Sequence, residues 1–191
     1  MEKLPIVRLV PWQSLWYNTA AMKNDHYEIE RKFLIRRPDR QWLEKHAAGS
    51  KITQTYLTSL QGGSARVRRR EYADHVSYTH TVKQKVNELR RIETEREISR
   101  EEYEELLTQA DPERHSIEKE RWVLLFQNQA FEIDVFPFWS KQAYMELELG
   151  TEEQEIVFPP EIEVLREVTG DKRYNNSSLA REIPAEDTKE I

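Results

Sequence analysis

The sequence predicts an α+β fold in which antiparallel strands close into a barrel of about eight strands, with a few helices at its periphery. Two patterns support this prediction. Many segments alternate between apolar and polar residues, as half-buried strands do. On several of these segments the polar positions carry pairs of like charge, which would repel one another on a solvated sheet. A closed barrel can gather such pairs inside and neutralise them with bound ions of opposite sign.

The composition limits the class of protein. A chain of 191 residues suits one domain with its own core. Hydrophobic residues make up 38% and charged residues 34%, so either the surface is unusually charged or some charge is turned inward. The net charge of −6 argues against broad nucleic-acid binding. The absence of cysteine excludes disulfides and thiolate sites and fits a cytoplasmic location, and no stretch approaches a membrane span.

The first predicted strand covers residues 27–35 and places three charged residues on one face: Glu28, Glu30 and Lys32. Pro38 and Asp39 then open a short helix, and Gly49 is a plausible helix stop.

Four further strands are predicted before the second helix. They cover residues 52–58, 65–71, 75–86 and 91–98. Their alternation places basic residues together on two strands and acidic residues together on the last: Arg66, Arg68 and Arg70; Lys83 and Lys85; Glu93, Glu95 and Glu97.

Ser99, with Glu102 three positions on, opens the most clearly predicted helix through a capping box. A hairpin follows, with strands 117–126 and 130–136 turned at Asn128. The next strand, 142–149, puts Glu146 and Glu148 on one face.

The end of the chain contains weaker signals. A short strand is predicted at 164–168 and a short helix at 176–181. We expect residues 1–25 to be a dispensable N-terminal extension, residues 26–183 to form the domain, and residues 184–191 to be a flexible acidic tail.

The predicted charged faces describe a site for polyphosphate and metal. Carboxylates are hard oxygen ligands that suit Mg²⁺ or Mn²⁺, whereas Arg and Lys suit a chain of phosphates. The acidic residues on these faces are Glu28, Glu30, Glu93, Glu95, Glu132, Asp134, Glu146 and Glu148. The basic ones are Lys32, Arg66, Arg68, Lys83, Lys85, Lys119 and Arg121.

Simpler interpretations stand beside this one. A single Glu-x-Glu-x-Lys is commonly an exposed strand face, and the arginines of 66–70 could form a nucleic-acid patch. Several separate strands carry a pair of like charges on one face. This coincidence makes the functional interpretation about as well supported as the simpler ones. No Walker loop is present.

The ordered motifs resemble the CYTH superfamily, the triphosphate tunnel metalloenzymes, and in particular its short single-domain bacterial inorganic triphosphatases. The signature Glu-x-Glu-x-Lys stands as Glu28, Glu30 and Lys32. The later motifs follow in the family's order: Arg66-Val-Arg68, Lys83, Glu93-Thr-Glu95, Lys119-Glu-Arg121, Asp134-Val-Phe, Glu146-Leu-Glu148 and the segment from Val168 to Asn176.

The resemblance implies a closed eight-stranded triphosphate tunnel with Mg²⁺ or Mn²⁺ on its acidic side and triphosphate on its basic side. The implied metal ligands are Glu28, Glu30, Glu93, Glu95, Asp134, Glu146 and Glu148. The implied triphosphate-binding residues are Lys32, Arg66, Arg68, Lys83, Lys85, Arg121 and, as a lesser candidate, Lys172. The segments Gln54-Thr-Tyr56-Leu57 and Ile117–Arg121 match those of a proposed tyrosine–lysine general base, here Tyr56 and Lys119.

The resemblance indicates hydrolysis of tripolyphosphate or a related triphosphate. A class IV adenylate cyclase, a thiamine triphosphatase and a noncatalytic polyphosphate-binding module stay open as alternatives. We expect a small triphosphate as partner and neither nucleic acid nor membrane; a homodimer is compatible with the sequence.

Overall fold

An antiparallel sheet of nine strands forms most of the described protein, with three short helices against it. The computed structural model describes residues 29–58, 63–85 and 91–187, and for 84, 85 and 91–93 it describes the backbone alone. The elements in chain order are β1 (Ile29–Arg36), α1 (Arg40–His46), β2 (Ala48–Leu57), β3 (Ser64–Glu71), β4 (Val76–Lys85), β5 (Arg91–Glu97), α2 (Arg100–Leu107), β6 (Ile117–Phe126), β7 (Gln129–Val135), β8 (Gln142–Leu149), β9 (Val164–Glu167), a 3₁₀ turn (Lys172–Tyr174) and α3 (Asn176–Leu179).

The strands lie in the order β5-β4-β3-β2-β6-β7-β8-β1-β9, and each neighbouring pair is antiparallel. The sheet is open, with β5 at one edge and β9 at the other. The α+β class and the antiparallel arrangement are confirmed. The predicted closure into an eight-stranded barrel is wrong, because the sheet has nine strands and its ends do not pair.

The short strand β9 explains why β1 and β5 do not close the sheet. β9 pairs with β1 on the side opposite β8 and so occupies the edge that closure would need. Arg36 N donates to Glu163 O at 2.9 Å just beyond the paired stretch. On the outside, Arg31 bonds Glu167 at 2.9 and 2.5 Å, and Arg36 bonds Glu163 at 2.6 and 2.9 Å. These contacts hold β9 on the edge of β1.

The two faces of the sheet have different roles. The outer face of β1 and β6–β8 packs against α1 in the main hydrophobic core, whose fully buried members include Phe131, Ile133 and Met145. Tyr103 of α2 packs with Val67 and Leu57 on the outer face farther along the sheet. The outer face is therefore apolar and covered, which leaves the charged alternate positions on the inner face.

The predicted helix starts are confirmed by their caps. Asp39 accepts a hydrogen bond from Trp42 N at 2.9 Å, and Ser99 accepts one from Glu102 N at 3.1 Å. No described helix is long and apolar enough to span a membrane.

Gly49 lies inside β2 instead of ending α1, which differs from the sequence-based expectation. A Cβ at this position would lie 2.7 Å from Cζ3 of Trp122 on β6. Glycine is needed here because the indole packs directly on the strand backbone.

The hairpin between β6 and β7 turns where predicted. Gln127 and Asn128 have φ values of 47° and 62°, the left-handed pair of a two-residue hairpin turn. The predicted strand at 164–168 and helix at 176–181 are present as β9 and α3.

Residues 184–187 of the predicted acidic tail contact the sheet. Pro184 O accepts from Trp139 Nε1 at 3.0 Å, and Asp187 N donates to Gln142 Oε1 at 2.8 Å. The predictions made for residues 1–25 and 188–191 lie outside the described residues.

Candidate functional site

The inner face of the sheet carries a continuous field of charged side chains, which we call the charged face. The strand register places them on the same side of neighbouring strands. The members are Glu30, Lys32, Arg66, Arg68, Arg70, Lys83, Glu95, Lys119, Arg121, Glu132, Asp134, Glu146 and Glu148. The predicted inward charge is therefore present, although the sheet is open.

Asp134 is the centre of the acidic part of this face, and its side chain is wholly buried. Lys119 Nζ lies 2.5 Å from Oδ2. Arg121 binds the same carboxylate with two atoms, Nε to Oδ1 and Nη2 to Oδ2, both at 2.7 Å. Both carboxylate oxygens are thus bonded to cations, which is the condition for tolerating a buried charge.

The ion pairs continue from Arg121 across β7 and β8 to β1. Arg121 also contacts Glu132, and it donates to Glu146 Oε2 at 2.9 Å. The other oxygen of Glu146 lies 2.7 Å from Lys32 Nζ, which is also 3.6 Å from Glu30. Three predicted metal ligands are therefore paired with residues predicted to bind phosphate.

The pKa shifts follow from this arrangement. Burial opposes the ionisation of Asp134, but Lys119 and Arg121 outweigh it and hold the pKa well below its usual range. Burial lowers the pKa of Lys119 to about 8, with Asp134 opposing the shift. Burial and the charge of Glu146 raise the pKa of Glu30. The negative charge of Glu30 is thus less well neutralised by nearby cations than that of Asp134.

The basic part of the charged face lies on β3. Arg68 Nη2 donates to Gln54 Oε1 at 3.1 Å, while its Nε is buried without a hydrogen-bond partner among the described residues. Burial, followed by the charges of Arg66 and Arg121, lowers the pKa of Arg68 to about 10. Glu95 and Asp134 oppose this lowering only in part.

Tyr56 lies at the border between this basic part and an aromatic cluster. Its hydroxyl accepts a hydrogen bond from Gln54 Nε2 at 3.0 Å, and the Arg114 guanidinium lies 4.9 Å from its ring centroid. Burial raises the pKa of the phenol, while Arg66, Arg114 and Arg68 lower it. The cations that act on Tyr56 are thus arginines, whereas Lys119 is bonded to Asp134.

The structure brings some predicted residues together and separates others. Glu30, Asp134, Glu146 and Glu148 lie on the three adjacent strands β1, β8 and β7. Glu95 lies on the far edge strand, where Thr81 Oγ1 donates to it at 2.6 Å and Arg66 is 3.7 Å away. An open sheet keeps this glutamate apart from the others.

Lys172 is exposed in the 3₁₀ turn and not on the sheet. Glu28 and the side chains of Lys85 and Glu93 lie outside the described part of the chain. Within that part, no three acidic or histidine side chains are arranged as a ready metal site.

Sequence reasoning missed the connecting residues of the site. Gln54 is wholly buried and joins Arg68 to Tyr56, and Arg114 bonds Ser177 Oγ at 3.1 Å while covering the Tyr56 ring. Gln54 has the same strand parity as Tyr56, which is the signal that could have found it. Arg114 lies in a loop, where no repeating pattern in the sequence indicates which way its side chain points.

Comparison with known proteins decides the family. The CYTH domain family model matches residues 26–180. The chain belongs to the CYTH domain family. CYTH membership confirms the resemblance drawn from the motifs, and it covers all the described strands. A comparison with curated proteins gives no match.

The chain also resembles solved structures. The chain is similar to the inorganic triphosphatase NE1496, at 31% identity and a TM-score of 0.59 over 84% of this chain and 98% of that chain. A second structure of NE1496, described as a hypothetical protein, has 32% identity and a TM-score of 0.56 over 83% and 100%. The PH1819 protein from Pyrococcus horikoshii OT3 has 18% identity and a TM-score of 0.46 over 66% and 80%.

Proposed function

We propose that this CYTH protein hydrolyses tripolyphosphate or a closely related triphosphate with the help of a divalent metal. The observation that carries the proposal is the guanidinium of Arg68, whose Nε is buried without a hydrogen-bond partner among the described residues, on the same face as a cluster of carboxylates. A polyanion would supply an acceptor for Arg68, and the carboxylates have the oxygen donors that a divalent cation prefers. The similarity to the triphosphatase NE1496 supports the same activity.

The basic part of the charged face is suited to hold the phosphate chain. Arg68 has a buried Nε without a partner among the described residues, at a place where burial and like charge already lower its pKa. A phosphate oxygen would supply both the missing acceptor and the missing negative charge. Gln54 Oε1 accepts from Nη2 of the same guanidinium, which restricts the orientation of the guanidinium before the ligand arrives.

The acidic part fits a divalent metal by its donor chemistry. The register puts Glu30 opposite Glu148 and Glu132 opposite Glu146, so carboxylates, the hard oxygen ligands that Mg²⁺ and Mn²⁺ prefer, lie side by side on adjacent strands. We propose that Glu30, Glu146 and Glu148 hold Mg²⁺ or Mn²⁺, with Asp134 beside them. When bound, such an ion neutralises charge on the phosphates and orients them. Glu28, Glu93 and Glu95 stay in the proposal as further ligands.

We assign the general base to Tyr56. Its hydroxyl is fixed by Gln54; burial raises its pKa and the neighbouring arginines oppose that rise, and in its deprotonated form it would accept the proton of an attacking water at the basic part of the face. Lys119 is retained as its proposed partner on the condition that its ammonium leaves Asp134. Lys32, Lys83, Lys85, Arg121 and Lys172 are the remaining proposed phosphate-binding residues.

The test is phosphate release from tripolyphosphate by the purified full chain with Mg²⁺ or Mn²⁺. We expect turnover that EDTA abolishes and that Glu30→Gln and Tyr56→Phe reduce by at least a hundredfold. Glu163→Gln is the matched control, because this glutamate pairs with Arg36 on the outer edge of the sheet. Absence of release, or release that survives in Glu30→Gln, would refute the proposal.

The same assay separates the alternatives. ATP and thiamine triphosphate are tested beside tripolyphosphate, with the nucleotide product identified by chromatography. Cyclic AMP formed from ATP would assign a cyclase, and tight tripolyphosphate binding without turnover would assign a binding module.

A further inference from the structure

Tyr144 lies on the same side of the sheet as the charged face, and the proposed chemistry gives it no role. It lies on β8 two positions before Glu146, and the register sets it opposite Leu34 on β1 and Asp134 on β7. Residues two apart on a strand share a face. The phenol of Tyr144 therefore projects from the same side of the sheet as the carboxylates.

The ring of Tyr144 is fixed by its neighbours. Phe136, Trp139 and Tyr174 contact it edge to face, with ring centroids 5.2, 5.0 and 6.0 Å away. Lys32 Nζ lies 5.7 Å from its ring centroid. Since Tyr174 belongs to the C-terminal 3₁₀ turn, Tyr144 stands where the charged face meets the C-terminal segment.

The hydroxyl of Tyr144 has no hydrogen-bond partner among the described residues, although the residue is only 1% exposed. Buried hydroxyls in folded proteins nearly always have a partner. The neighbouring Tyr174 follows this rule, because its hydroxyl accepts from Arg166 Nη2 at 2.5 Å. The missing partner of Tyr144 is therefore to be sought in something that binds.

The nearby carboxylates do not supply the acceptor, because neither is bonded to the hydroxyl. Glu146 instead binds Lys32 through Oε1 and Arg121 through Oε2. Both oxygens of Asp134 are bonded to Lys119 and Arg121. Among the described residues the hydroxyl is thus a donor without an acceptor, and the nearby ammonium of Lys32 would attract an anionic ligand to its side.

We propose that Tyr144 is a further substrate-binding residue whose hydroxyl donates a hydrogen bond to an oxygen of the bound triphosphate beside Lys32. The proposal rests on the proposed function. The flexible ammonium of Lys32 attracts a phosphate without fixing its orientation, whereas the phenol of Tyr144 is held in place and donates its hydrogen bond in one direction. Its loss should weaken the binding of a phosphate chain and leave the fold intact.

The test compares Tyr144→Phe with the wild-type chain. Tripolyphosphate binding is measured by calorimetry in EDTA, where hydrolysis does not interfere, and KM is measured with Mg²⁺. We expect Tyr144→Phe to weaken binding by about tenfold or more, since a hydrogen bond to a charged group is lost. Its melting temperature should equal or exceed that of the wild type, because no protein hydrogen bond is removed.

Tyr174→Phe is the matched control, since it deletes a hydroxyl of the same aromatic cluster that already has a partner. We expect it to lower the melting temperature and to change tripolyphosphate affinity by less than about twofold. Unchanged affinity in Tyr144→Phe, a lowered melting temperature in that variant, or equal loss of affinity in both variants would overturn the inference. If wild-type protein neither binds nor hydrolyses tripolyphosphate, the proposed function itself fails.

Discussion

Asp134 and its cations show how the charged face is stable without a ligand. A carboxylate that is 0% exposed would be strongly unfavourable alone, yet Lys119 and Arg121 satisfy both of its oxygens. Lys32 does the same for one oxygen of Glu146. The residues proposed for metal and those proposed for phosphate therefore neutralise one another, and ligands would have to replace these pairs.

Asp134→Asn should destabilise the protein by about 3–5 kcal/mol, because it leaves the buried Lys119 without a counter-ion. Urea unfolding followed by circular dichroism measures the change. The double variant Lys119→Met with Asp134→Leu should recover only the part of the loss that is due to Lys119, since Arg121 still loses both of its bonds to Asp134. A cost below about 1 kcal/mol for Asp134→Asn would show that the network is not energetically coupled.

The pKa of Tyr56 sets an expected pH dependence of turnover. Burial raises that pKa above its ordinary value, and the base is the deprotonated form, so turnover should still be rising at pH 10. Arg114→Met removes a cation that favours the phenolate, and the rising limb should move to higher pH with a several-fold loss at pH 9.

The pH–rate profiles of the wild type, Arg114→Met and Tyr56→Phe test this expectation. Arg181→Met is the control, because Arg181 is exposed and contacts Glu113 at 3.8 Å. A flat profile from pH 6 to 10, or the same shift in Arg181→Met, would contradict the assignment of Tyr56 as base.

At the scale of elements, the contact of β2 with β6 depends on one glycine. Gly49→Ala would place a Cβ 2.7 Å from the Trp122 ring and should destabilise the protein by about 1–3 kcal/mol. Gly150→Ala is the matched control, because its Cβ would lie 3.5 Å from the flexible Gln154 side chain. Thermal unfolding of both variants measures the difference. Equal effects would mean that the indole moves aside freely.

The elements themselves were largely predictable, because their signals are local. Asp39 and Ser99 were identified as helix caps from the residues that follow them, and the hairpin turn was identified at Asn128. The position of Gly49 was not predictable, since a glycine after a helical pattern is usually a stop. Glycine is required at position 49 because the ring of Trp122, which is distant in sequence, packs against the backbone there.

At the scale of the whole molecule, the charged face was predictable and its internal contacts were not. Two-residue alternation fixes the face on which Glu30, Asp134 and Glu146 lie. It does not fix their partners: Lys119 and Arg121 meet Asp134 through the register of the β6–β7 hairpin, whereas Lys32 meets Glu146 through the pairing of strands distant in sequence. The unpartnered hydroxyl of Tyr144 was invisible for the same reason.

Closure of the sheet was the largest error of sequence reasoning. The eight predicted strands and the short ninth are all present. The alternation of apolar and polar residues, however, does not determine which strand pairs with β1 on the side opposite β8. The choice of β9 depends on pairing between segments more than 120 residues apart, including Arg36 with Glu163.

The open edge has a consequence for the behaviour of the protein in concentrated solution. β5 has no strand on its outer side among the described residues, and an unpaired edge is a template for a strand from another molecule. Five of its seven residues, Arg-Ile-Glu-Thr-Glu-Arg-Glu, are charged. Two copies paired in parallel would set each charge opposite its own copy, and antiparallel pairing about Thr94 would set Glu93 opposite Glu95. A strand this highly charged therefore protects the exposed edge of the sheet against aggregation.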